Sequence, residues 1–94
     1  MCDLVSLLAT CQEDTARLVS PGAAARLATW RRYEDDQAKL VSFVQRILHK
    51  GGRNGWKLEQ EGGLSLERIV IEHCPQLFTE DDIHQAKRNL GIKN

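Results

Sequence analysis

The chain has 94 residues, with 13 basic and 13 acidic side chains and a formal net charge of zero. With 41% hydrophobic and 28% charged residues, it reads as one folded domain with a modest core, not as a disordered, collagenous or membrane-spanning chain. Zero net charge leaves no global field to draw in nucleic acid or anionic lipid.

Asp3 follows Met1-Cys2 directly, and the apolar run from Leu4 to Ala9 lacks the basic flank and length of a secretory signal. No stretch approaches the ~20 apolar residues that span a bilayer, so no membrane role is expected. Position 2 is Cys rather than Gly and the chain closes Gly91-Ile92-Lys93-Asn94, which offers neither a myristoyl nor a prenyl attachment site. Cys2, Cys11 and Cys74 make an odd and sparse count for a secreted disulfide scaffold. The expectation is an intracellular location, cytoplasmic or nuclear, with Cys11 and Cys74 serving as small buried apolar groups.

Five segments carry a helical period. In the first, about Leu4 to Val19, residues Leu4, Leu7, Leu8, Cys11, Thr15 and Leu18 form one stripe. Ser20 then suits an N-cap and Pro21 a first helical position, opening an alanine-rich second helix that reaches about Arg32. Trp30 is expected in the core and Tyr33 at the surface. From Asp35 to Lys50 the spacing of Leu40, Phe43, Val44, Ile47 and Leu48 predicts a third helix with a broad buried face. Acids Glu34, Asp35 and Asp36 precede it, and Arg46, His49 and Lys50 end it, both favourable to the helix dipole. Gly51-Gly52 supply the stop.

Residues 51–64 break the pattern. Five glycines and the turn signal Asn54-Gly55 surround Trp56-Lys57-Leu58-Glu59, and the segment reads as a glycine-rich loop anchored on the core by Trp56. A fourth helix is expected from Ser65 to about His73, stopped by Pro75. The fifth has full start chemistry: Thr79 as N-cap, Asp82 completing a capping box, and Phe78 poised to staple onto Ile83. Gly91 caps its end, with Ile92 available to pack back. The fold class is therefore all-α: a compact bundle of about five helices over residues 1–94, with the glycine-rich loop between the third and fourth. It reads as a single domain, free-standing or the N-terminal domain of a longer protein.

Chemistry is sparse. No C-x-x-C or H-x-x-x-H pair is present among Cys2, Cys11, Cys74, His49, His73 and His84, and His73-Cys74 diverge on a helix, so no metal or cofactor is expected. No nucleophile elbow or phosphate-binding loop appears, since Gly51-Gly52-Arg53-Asn54-Gly55 lacks a preceding strand and a G-K-[ST] ending. A helical domain this small is also expected to have difficulty enclosing a pocket of ~300 Å³ or more. No catalytic residue is assigned, and an enzyme is not the expected reading.

Two binding readings compete. Helices four and five mimic a helix-turn-helix, but the second opens on Glu80-Asp81-Asp82, whose charge opposes a phosphate backbone. A different basic stretch, Arg46, Lys50, Arg53 and Lys57, has no intervening acid and carries His49 and Trp56 between its members. Such a surface suits an acidic protein partner or, as the secondary reading, nucleic acid. An ordinary helix end running into a solvated loop accounts for the same charges. Arg26, Arg31 and Arg32 extend the patch if helices two and three are neighbours. Trp30-Arg31-Arg32-Tyr33 gathers residue types enriched at interface hot spots. Charged faces of both signs, basic at 46–57 and acidic at 34–36 and 80–82, orient a partner more than they add affinity. The expected function is a non-enzymatic protein–protein interaction module, adaptor or regulatory, with Arg46, Lys50, Arg53, Trp56, Lys57, Arg31, Arg32 and Tyr33 as partner-binding residues.

The run Gln37-Ala38-Lys39-Leu40-Val41-Ser42-Phe43-Val44-Gln45-Arg46-Ile47-Leu48 followed by Gly51 resembles a central helix of death-fold interaction domains such as caspase-recruitment modules. The likeness covers this segment alone and consists mostly of amphipathic-helix grammar. Death folds usually have six helices, against five counted here, and no residue role is carried over.

Overall fold

Short polar side chains start nearly every helix of the computed structural model, which describes residues 2–92. Asp3 accepts the Ser6 N–H at 3.2 Å and opens α1, Leu4–Leu18. Ser20 accepts from Ala23 at the head of α2, Pro21–Leu27. Asp36 accepts from Lys39 to begin α3, Gln37–Lys50. Ser65 accepts from Arg68 and opens α5, Leu66–Arg68. Thr79 and Asp82 complete a reciprocal capping box for α6, Glu80–Asn89. Each such bond satisfies an amide that the helix itself leaves free. Among the described residues all regular structure is helical, so the all-α class holds.

Two helices depart from regular geometry. After Leu27 the second tightens into a 3-10 helix, Ala28–Tyr33, instead of running on as α to Arg32. After Arg68 the fifth widens into a π turn, Ile69–His73, closed by the Cys74 N–H on the Ile69 carbonyl at 2.8 Å. A short 3-10 turn, Pro75–Leu77, then leads to α6. Gly91, at φ +74°, lets Ile92 bond back to the Lys87 carbonyl at 2.9 Å; the Ile92 side chain itself points outward. Lys93 and Asn94 lie outside the described residues.

Residues 51–64 hold a sixth helix that the glycine count conceals. α4, Asn54–Gln60, starts without a side-chain cap and buries Leu58. Its ends are glycine turns: Gly51 and Gly52 at φ +76° and +115°, and Gly62 at +83°. Such positive φ values suit glycine because it has no Cβ. Trp56 does not anchor the segment on the core, being 42% exposed.

The core is built around α3, whose Leu40, Phe43, Val44 and Leu48 are buried together with Leu4, Leu8 and Cys11 of α1, Ile69, Val70 and Cys74. Thr15 also lies buried in the α1 stripe, its hydroxyl satisfied by the Cys11 carbonyl at 2.7 Å. Trp30 is buried as expected, and its indole N–H donates to Gln12 Oε1 at 2.8 Å. α1 packs on α2, and α6 packs on both α3 and α5. The radius of gyration, 12.0 Å, matches the ~12 Å of a folded chain this long.

Cys74 is not merely an apolar group: it is joined to Cys2 by a disulfide spanning 72 residues, which leaves Cys11 as a buried free thiol. The odd cysteine count that suggested a reducing compartment thus resolves into one bridge and one core residue. No helix among the described residues is long and apolar enough to cross a membrane.

Candidate functional site

Arg46 and Lys50 are four residues apart on α3, so they share one face of the helix and stand beside Ile47 and Phe43. The turn at Gly51-Gly52 brings Arg53 back toward the same side. Arg26, from α2, completes the set. These four cations rim a cleft of about 460 Å³ whose walls include Leu27, Phe43, Ile47 and Leu58, and whose lining also includes Cys11, Leu66 and Glu67. The space lies where α1, α2, α3 and the short α4 diverge, and it is a cleft open to solvent rather than an enclosed pocket.

None of the four cations takes part in an ion pair among the described residues; the pairs present are Arg17–Asp14, His49–Asp82, Arg68–Glu59 and Arg68–Glu72. Arg46, Lys50, Arg53 and Arg26 are all exposed. Like charges at i, i+4 cost about 0.2–0.5 kcal/mol, which offsets part of what cations gain at the C-terminal end of α3.

Beneath the rim sits a carboxylate. Glu67 is 8% exposed, and its Oε2 accepts the Asn89 side-chain N–H at 3.0 Å. Asn89 also donates to the Leu48 carbonyl at 2.9 Å and receives Gln85 at 2.8 Å, tying α3, α5 and α6 together. The other oxygen, Oε1, has no side-chain donor and lies against the backbone of Gly55, where a Cβ would collide with it. Glycine at 55 is what allows α4 to approach so closely. Burial raises the Glu67 carboxyl above its usual range, against the opposing pull of its own backbone amide and Asn89. Cys11, on the same floor, is pushed up to about 12 by burial. It stays a neutral thiol at physiological pH and is no nucleophile, since reactivity resides in the thiolate.

Glu67→Gln is expected to keep the Asn89 contact while relieving the cost of a desolvated charge, raising stability at pH 7 by about 1 kcal/mol. A carboxyl whose folded pKa lies above its unfolded value favours folding most when protonated. The advantage of the glutamine variant should therefore shrink as pH falls through the folded pKa of Glu67 toward the ordinary glutamate value. Urea titrations of both proteins at pH 7 and pH 5 measure this, and a difference independent of pH contradicts it.

The remaining candidates lie elsewhere. Trp56 and Lys57 are on the opposite side of α4, lining a shallow groove with Leu18, Val19, Gln60 and Glu61. The basic stretch that is continuous in sequence is thus divided between two faces. Arg31 and Arg32 are exposed but do not line the cleft, and the Arg31 guanidinium lies 5.4 Å from the Trp30 ring centre. Tyr33 is half-buried rather than exposed, packing on Phe43 with ring centres 6.3 Å apart.

On the acidic side, Glu34, Asp35, Asp36, Glu80 and Asp81 are exposed. Asp82, assigned from sequence to the acidic face, is 3% exposed and points inward. It accepts from Gln45 at 2.7 Å and the Thr79 amide at 3.0 Å, and meets His49 Nε2 at 2.7 Å. Burial works to raise its carboxyl, but Gln45, Thr79 and His49 outweigh that and hold it below the usual range.

Sequence reading missed Glu67 and Asn89 and reached Arg26 only conditionally. A glutamate two residues after a serine cap looks like any first-turn acid; its inward place rests on contacts distant in sequence, the Asn89 amide and the room left at Gly55. Among the described residues no three His, Cys, Asp or Glu side chains are grouped to hold a metal ion. Comparison of the chain with protein-family models, with curated proteins and with solved structures gave no match.

Proposed function

We propose that the domain is a non-enzymatic protein–protein interaction module, adaptor or regulatory in role, that presents its basic cleft to an acidic surface of another protein. The observation that carries this reading is the convergence of Arg26, Arg46, Lys50 and Arg53 on one cleft, exposed and without ion pairs among the described residues. Cations left without partners in the free protein are available to carboxylates on another molecule, where they govern orientation and encounter rate. The exposed acids at 34–36 and 80–81 lend the module its second sign of charge. Nucleic-acid binding through residues 46–57 is disfavoured by the same arrangement, because Trp56 and Lys57 stand apart from Arg46, Lys50 and Arg53.

An intracellular setting belongs to the proposal. The Cys2–Cys74 bridge is the feature that argues against it, because disulfides persist chiefly in oxidising compartments.

Reversing two rim charges, Arg46→Glu with Lys50→Glu, is expected to reduce recovery of the native partner in affinity capture at least about tenfold, while the protein stays folded with a thermal midpoint lowered only by the lost dipole complement at the end of α3. Undiminished capture rejects the basic cleft as the binding face. Retention of a random oligonucleotide that weakens steeply between two salt concentrations would favour the nucleic-acid reading instead.

A further inference from the structure

The cleft has three chemical zones. Its rim carries four cations, its walls are aliphatic and aromatic carbon from Leu27, Phe43 and Ile47, and its floor holds the Glu67 carboxylate. Leu27 and Ile47 are only partly buried, so apolar surface is open to an occupant. The volume, about 460 Å³, falls within the ~300–1,000 Å³ usual for organic ligand sites and is far more than a lone ion needs.

A free phosphate or pyrophosphate satisfies only the rim, and Glu67 repels it from the floor. A nucleic-acid strand calls for cations tracking its backbone and open aromatic faces for its bases. Here the cations ring one cleft, and its single aromatic lining residue, Phe43, is only 5% exposed. An extended acidic peptide answers the rim and the walls together: its carboxylates pair with the cations, and an aliphatic side chain covers the apolar carbon between them.

We infer that the cleft takes an extended acidic segment of the partner, seating one aliphatic side chain on Leu27 and Ile47 while flanking carboxylates reach Arg46, Lys50 and Arg53. This rests on the reading of the basic face as the partner-binding face and specifies its mode.

The test is fluorescence anisotropy of a labelled Glu-Asp-Leu-Asp-Glu peptide titrated with the full chain. Saturable binding is expected. Arg46→Glu with Arg53→Glu should weaken it at least about tenfold, and replacing the probe's leucine with glycine about tenfold, the worth of roughly 1.5 kcal/mol for a buried aliphatic side chain. Lys57→Glu, on the other groove, should leave it within about twofold, and circular dichroism should show all variants folded. The inference is overturned if the peptide does not bind or if the glycine probe binds equally well. It is also overturned if Lys57→Glu weakens binding as much as the rim variant, or if pyrophosphate or a thymidine oligonucleotide binds in preference to the peptide. If Arg46 and Lys50 govern partner capture while the peptide fails, the basic face stands and only this mode of occupancy falls.

Discussion

Cys2→Ser is expected to lower the free energy of unfolding by about 4 kcal/mol, the effect of opening a loop closed across 72 residues. The bridge restricts the unfolded chain, and the restriction grows with loop length. It ties the segment ahead of α1 to the residue that follows the π turn, so nearly four-fifths of the chain is enclosed. Cys2 is only half-buried, and serine there loses little packing. The choice of position matters, since Cys74 is fully buried and its replacement would add a cavity or polar penalty to the loss of the link. A single domain of this size has a total stability of roughly 5–15 kcal/mol, so the variant should melt on the order of 20 °C lower. Wild-type protein in dithiothreitol should superimpose on the variant in urea or thermal unfolding. Equal midpoints for oxidised wild type and Cys2→Ser would show that the two sulfurs are not joined in solution.

The bridge also marks a boundary of what local sequence can disclose. Helix starts were legible because a cap acts within three residues: Ser20, Ser65 and Thr79 each bond an amide three positions on. The buried stripes of α1 and α3 were legible for a similar reason, since a 3.6-residue period is written into every turn. Pairing of Cys2 with Cys74 depends instead on how the helices close up, which no short window contains.

Residues 51–64 fail for a different reason. Glycine and an Asn-Gly pair weaken a helix by propensity, yet α4 forms where Leu58 is buried and Gly55 fits against Glu67. Tertiary contact overrides the local preference. The same helix splits the basic stretch, because Asn54, Gly55 and Leu58 face the cleft while Trp56, Lys57 and Gln60 face away. Only Arg46 and Lys50, related by one turn of a firmly predicted helix, were placed together by sequence spacing alone.

Equality of 13 basic and 13 acidic residues likewise conceals a segregation. Several acids are consumed internally: Asp3 and Asp36 as caps, Glu59 with Arg68, and Glu67 with Asn89. Asp14, which pairs with Arg17, also accepts the Leu64 amide at 2.9 Å. The cations of the cleft have no such employment among the described residues. The domain is neutral by count, yet four of its unpaired cations converge on one cleft, where they are available to a partner.

Asp82→Ala is expected to cost about 3 kcal/mol, because one carboxylate serves three partners on two helices at once. It closes the capping box of α6 on the Thr79 amide, and it binds Gln45 and His49 from α3. Removing it leaves the Thr79 amide and two side-chain groups without their acceptor, whereas Gln45→Ala or His49→Ala removes one contact and should cost about 1 kcal/mol each. The pH dependence supplies an independent check. Hydrogen bonds to the charged form hold the Asp82 carboxyl below its ordinary value despite burial, so the ionised state favours folding. Its contribution is complete above the ordinary aspartate pKa of about 4 and is lost as pH falls through the lower folded pKa. Wild type and Asp82→Ala should therefore differ fully at pH 7 and converge below about pH 4 in urea unfolding. A gap that persists undiminished into strong acid would mean that Asp82 acts through its volume rather than its charge, and that the link between α3 and α6 is packing alone.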